Sequence, residues 1–208
     1  MSEALYRATQ MVQEADLARM VLDRNGLPPE LSDFVSSSTG VLDNVTMAQQ
    51  GFPDSSAERF RSVGRLTGYL QEFAAPAPEH KDIPTGYDLA AATVVHLFDD
   101  PQGVAHWIEE IFVGEFEAHV DQELQSGQRL LLTERLPFHG FADLVAGLRV
   151  LHSSPVGPVS STVVDFRIGR LLGVGYVATL GNCERRDLVE ELGHELERRM
   201  VHVVLGER

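Results

Sequence analysis

The stretch Ser161–Leu205 constrains the fold more than any other part of the chain. Val163, Val164 and Phe166 close one β-branched and aromatic run, and Leu171 to Val177 open another. Between them Arg167-Ile168-Gly169-Arg170 supplies a short glycine-containing connection, the signature of a hairpin. A helix is predicted from about residue 184, with Leu188, Val189, Leu192, Leu196, Met200 and Val203 at the three-and-four spacing that lays one apolar stripe on a sheet. The unit therefore predicts an antiparallel sheet covered by a helix.

The rest of the chain extends that pattern. Residues 3–23 read as one helix, stopped by Asn25-Gly26 and Leu27-Pro28-Pro29, and form an N-terminal unit over 1–26. Residues 27–208 read as a single α+β domain. Within it a short strand is expected near Asp33–Ser38, then irregular structure and a helical turn near Ser55–Arg61. Gly64–Phe73 alternates like a strand with one wet face. Ala74–Pro84 reads as a loop, and Leu89–Phe98 is apolar enough for a central strand. Asp99-Asp100-Pro101 opens a helix carrying Val104, Ile108, Ile111, Phe112 and Phe116 on one face, ended by Gln125-Ser126-Gly127. Strands at Arg129–Thr133 and Leu148–Ser153 precede the closing hairpin. No strand–helix–strand alternation recurs, which argues against a parallel doubly wound sheet.

Charge and composition narrow the function. A net charge of -14 disfavours phosphate backbones and anionic headgroups, so nucleic acid is not an expected partner. One cysteine, Cys183, allows neither an internal disulfide nor a cysteine metal cluster. No run of 18 apolar residues exists, so no membrane span is expected, and the N-terminus lacks the basic-then-apolar pattern of an export signal. As written the chain reads as cytoplasmic; a removed leader would make it extracytoplasmic.

Catalytic patterns are sparse. There is no Gly-x-Ser-x-Gly elbow, no phosphate-binding Gly-Lys-Ser and no dinucleotide fingerprint. His194 and His202, eight residues apart on the last helix, are about 12 Å apart along its axis, too far to share an ion. The carboxylates of the 103–124 helix are spread around a solvent face. His139 and Asp143 meet if their turn is helical, which is the one arrangement here suited to hydrolase-like chemistry. No catalytic residue, metal site or cofactor is therefore assigned. Tyr69, Trp107, Phe112, Phe116 and Tyr176 are the aromatics able to line an apolar cavity between helix and sheet, and are the candidate ligand-binding residues.

Four phrases occur together in one known order: Leu27-Pro28-Pro29-Glu30-Leu31, Gly64-Arg65-Leu66-Thr67-Gly68-Tyr69, His96-Leu97-Phe98-Asp99-Asp100-Pro101-Gln102-Gly103-Val104 and Phe166-Arg167-Ile168-Gly169-Arg170-Leu171-Leu172. In these the chain resembles bacterial surface lipoprotein domains of the Mog1/PsbP-like fold, such as the LpqN-type lipoproteins, and the extracellular sensor domains of PknH-type kinases. The resemblance implies a central antiparallel sheet packed by helices, no family-wide catalytic residues, and binding of small ligands or partner proteins at or outside the membrane. The expected function is a non-catalytic module for a small apolar ligand or a partner protein. The alternative is an assembly protein, a homodimer for example, that docks through its N-terminal helix.

Overall fold

The computed structural model describes residues 3–76, 83–124 and 127–206. The loop expected over 77–82 and the helix stop at Gln125-Ser126 lie outside the described residues. Seven strands form one antiparallel sheet in the order β1-β2-β3-β7-β6-β5-β4. They are β1 (Val35–Val41), β2 (Arg65–Ala74), β3 (Asp88–Phe98), β4 (Leu130–Leu136), β5 (Val145–His152), β6 (Val159–Ile168) and β7 (Leu171–Leu180). Two meanders, β1–β3 and β4–β7, thus meet along the β3–β7 seam.

Each face of this α+β sheet has its own core. On the first face lie α1 (Glu3–Thr9), α2 (Glu14–Met20) and α7 (Arg186–Val204). There Leu17, Met20, Leu188, Leu192, Leu196 and Met200 pack onto Phe73, Val95, Val164, Phe166 and Val177. The second face carries α3 (Asn44–Gln49) and α4 (Ala57–Ser62), then a continuous ribbon of α5 (Pro101–His106), a π-helical segment (Trp107–Gly114) and α6 (Glu115–Ala118). Phe60, Phe98, Trp107, Ile108, Ile111, Phe112, Leu148 and Leu172 form its core.

Local chemistry explains several junctions. Ile168 and Leu171 pair directly, so the β6–β7 turn is the two residues Gly169-Arg170. Gly169 takes φ 58°, a left-handed conformation that glycine adopts without steric cost. The α5 start is capped by Asp100, whose Oδ1 accepts from the Gly103 N–H at 2.8 Å, with Pro101 in the first turn. α7 crosses β7 where Gly193 meets Gly175; a Cβ on Gly193 would lie 2.9 Å from the Phe141 ring and 3.0 Å from Val164, so the helix can approach this closely only without one.

Two expectations change. The helix expected over 3–23 is two helices, α1 and α2, broken at residues 10–13, where Gln13 begins α2 in extended conformation and its N–H donates to Asp16. The irregular stretch after β1 contains α3, capped by Asp43 accepting from Thr46 at 2.7 Å.

Candidate functional site

Three of the four phrases that carry the family resemblance, those holding Arg65, His96 and Arg167-Arg170, converge at one end of the sheet, and their arginines fasten it; Glu30 of the fourth lies at the other end, where Arg185 joins it to Asp88. Arg65 is fully buried. Its Nη2 donates to the Leu42 carbonyl at 2.7 Å, its Nη1 to Asn44 Oδ1, and its Nε to His96 Nδ1 at 3.1 Å. Because the guanidinium can only donate, His96 Nδ1 accepts and its ring proton sits on Nε2. Burial, reinforced by the adjacent cation, keeps the His96 pKa well below its ordinary value. Burial likewise lowers Arg65, to about 10. The guanidinium carbon lies 5.7 Å from the Trp107 ring centre, a cation–π contact. Arg170 donates to the backbone carbonyls of Thr9, Val12 and Phe98, and Arg167 grips Asp143 with two bonds at 2.9 and 3.1 Å. These residues are structural fasteners.

The five aromatics separate. Trp107 is 3% exposed and wedged among Phe60, Phe98 and His96. Phe112 and Phe116 meet edge to face on the same ribbon. Tyr69 sits across the sheet against the first-face core, with the Thr39 hydroxyl beside its own. Tyr176 shares the second face with the ribbon, and its hydroxyl donates to Glu72 Oε2 at 3.1 Å. Burial, then Glu72, pushes that hydroxyl's pKa up. Three of the five thus fill the second-face core, Tyr176 borders it, and Tyr69 is on the opposite side.

What remains open is part of the second face. The ribbon crosses obliquely, with α5 on β3, β7 and β6, the π-helical segment on β5, and α6 on β4. Leu70, Glu72, Val163, Val174, Tyr176 and Ala178 are left half-exposed, around Ala92 and Val94. The β2–β3, β3–β7 and β6–β7 registers set Glu72, Ala92, Tyr176 and Val163 side by side in one row, and Val94, Val174 and Asp165 in the next. These residues make an open, largely apolar strip of the sheet face, here called the trough, with one tyrosine–carboxylate pair, Tyr176 and Glu72. Two other clefts, of about 250 Å³ at the α7 N-terminus (Glu30, Arg185) and about 410 Å³ beside Gly64, Asp99 and His106, are lined by none of the five aromatics.

Asp165 was not among the residues singled out from sequence, although a carboxylate inside Val163-Val164-Asp165-Phe166 is itself a signal. It is 2% exposed and its Oδ1 has no hydrogen-bond partner. Arg65 and Glu115 are also buried, yet Arg65 has the partners above and Glu115 pairs with Arg59. Desolvation holds the Asp165 pKa well above its ordinary value, which favours the neutral form of the group. Below about pH 4 the acid is protonated in both folded and unfolded chains. Above that, the unfolded chain binds fewer protons and folding stability falls with rising pH. Asp165→Asn removes this slope: we expect the variant to match the parent near pH 3 and to exceed it by about 1–3 kcal/mol at pH 7, measured by urea unfolding at both pH values.

His139 and Asp143 do not pair. Residues 137–140 form no helical turn, Asp143 is held by Arg167, and the His139 backbone N–H donates to Glu190 at 3.2 Å. The expected hydrolase-like pair is therefore corrected to two structural contacts. On the acidic ribbon Glu117 is taken by Arg135, and Glu110 lies 3.3 Å from His106. Among the described residues no helix is long and apolar enough to cross a membrane.

No family model and no curated protein sequence matches the chain. Solved structures do match in shape. The extracellular domain of PknH from Mycobacterium tuberculosis aligns with a TM-score of 0.57 at 7% identity, covering 90% of this chain and 97% of that one. The Rv0999 ortholog from Mycobacterium smegmatis aligns with a TM-score of 0.45 at 10% identity, over 91% of this chain and 99% of that one. The central antiparallel sheet packed by helices is thus the architecture expected from the resemblance: this chain has the fold of the PknH extracellular domain.

Proposed function

We propose that the chain is a non-catalytic binding module and that its open second-face trough takes a small, largely apolar ligand. The observation that carries this reading is the run of half-exposed apolar residues, Leu70, Val163, Val174 and Ala178, left beside Tyr176 on a face that is otherwise core. Burying such a surface contributes about 25 cal/mol per Å² of apolar area removed from water. Val163 and Val174 pack against the core that holds Trp107, Phe112 and Phe116, and Tyr176 is the aromatic available to touch the ligand. The absence of a catalytic pattern in the sequence supports a binding role over an enzymatic one.

Native mass spectrometry of the purified protein against its denatured mass is the direct test. We expect excess mass that disappears on denaturation and is reduced when Val163→Asp blocks the trough. A bare monomer that also fails to take up any apolar compound would overturn the reading; a co-purifying polypeptide would replace the small ligand with a protein partner. The extracellular setting of the PknH domain supports an extracytoplasmic placement for this chain as part of the same proposal, and fractionation of the native cells with a specific antibody checks it.

A further inference from the structure

We infer that Asp165 is the polar anchor of the open trough and that the ligand it receives is an amphiphilic amine, an ammonium head on an apolar body. This rests on reading the open second face as a binding surface, and adds the chemistry of the ligand. Three observations carry it. The β5–β6–β7 register puts Asp165 beside Ala146 and half-exposed Val174, on the same face as Val163 and Tyr176 and one row over from them. Asp165 is 2% exposed with Oδ1 unpartnered, so the fold buries that oxygen without a hydrogen bond. The surrounding charge has one sign available to a ligand. Glu72 stands at the open edge, and the chain carries -14 overall.

The neighbouring titratable groups are already engaged. On β6 itself Arg167 is closed on Asp143. On β3 His96 accepts from Arg65, and on β7 Tyr176 is bonded to Glu72. On the ribbon above, His106 faces Glu110, and on β5 the residue opposite is Ala146. Among the described residues of these elements no free cation faces the trough, so an anionic head would be repelled by Glu72 and left unpaired. An ammonium head meets an acid whose Oδ1 lacks a partner.

On binding, the protonated carboxyl of Asp165 breaks its O–H bond and the proton leaves to solvent. The resulting carboxylate accepts hydrogen bonds from the incoming ammonium, which keeps all of its own protons. The opposite charge within hydrogen-bond distance favours the ionised acid. Binding therefore releases one proton at neutral pH, and affinity falls as pH is lowered.

The probes are n-octylamine, n-octanol and n-octanoate, added to the full chain and to Asp165→Asn. Trp107, the sole tryptophan, reports occupancy by fluorescence. Calorimetry in two buffers of different ionisation enthalpy counts protons. We expect octylamine to bind with about one proton released at pH 7, at least tenfold more tightly than octanol, with octanoate weakest. Asp165→Asn, a variant expected to fold more stably than the parent, should lose at least tenfold for octylamine and release no proton. Equal binding of all three probes, unchanged in Asp165→Asn, overturns the anchor and leaves the trough standing. Octylamine binding lost in Glu72→Gln but kept in Asp165→Asn also overturns it, assigning recognition to the edge carboxylate. Failure of every probe, with no proton released, overturns the anchor and the trough together. A change in stability alone overturns it in favour of an internal water on Oδ1.

Discussion

Arg65→Ala is expected to destabilise the protein by about 3–5 kcal/mol in urea unfolding, a large loss for the truncation of one polar side chain. The reason is what the guanidinium leaves behind. Its removal strands the Leu42 carbonyl, the Asn44 side-chain oxygen and His96 Nδ1 in a buried site. Each orphaned group costs about 1–3 kcal/mol when water cannot reach it. Trp107 also loses the cation beneath its ring. The start of β2, α3 and the ribbon are joined through this one side chain, so the loss should appear as a shifted midpoint with fluorescence of Trp107 changing in the same transition. Arg65→Lys should recover little, because an ammonium cannot reach three acceptors from the positions the planar fork occupies. A midpoint for Arg65→Ala within about 1 kcal/mol of the parent would show that the network is dispensable.

Deletion of residues 1–24 is expected to abolish cooperative folding. The assembly reading gave the N-terminal helix a surface to offer to a second copy; the structure instead uses that surface internally. Val12, Leu17, Met20, Val21 and Leu22 are all buried in the first-face core. The Leu22 N–H also donates to Thr93 Oγ1 on β3, and Arg170 bonds the Thr9 and Val12 carbonyls. Five side chains at about 1.5–3 kcal/mol each come to roughly 8–15 kcal/mol, comparable with the whole stability of a domain. Circular dichroism of the shortened chain should show no sigmoidal thermal transition. A folded, merely monomeric product would restore the view of this segment as an assembly arm.

The hairpin and the last helix were legible because both depend on local periodicity. Val163–Phe166 and Leu171–Val177 are two strand-like runs joined by a glycine turn, and α7 keeps its three-and-four stripe. β3 was legible from the nearly continuous apolar run Leu89–Phe98, and in the structure Ala91–Phe98 are all buried. The break between α1 and α2 was not, because Gln10 to Gln13 carry no proline or glycine and the break is made by packing. The candidate site was harder. Trp107, Phe112 and Phe116 were correctly associated with the ribbon, yet hydrophobicity could not tell a residue that lines a cavity from one that fills a core. Tyr69 and Tyr176 look alike in sequence; the register of β2 and β7 sends them to opposite faces.

Asp165 shows the same division most clearly. By itself the sequence determined an α+β chain with an antiparallel sheet, amphipathic helices on it and an acidic surface, since those follow from residue order and charge over short windows. Only the tertiary structure decided that the carboxyl of Asp165 lies in a low-dielectric interior without a hydrogen-bond partner on Oδ1, while the carboxyl of Asp143 is held by Arg167. The energy of a carboxylate is set by the water and partners around it, and those are brought together by strands distant in sequence.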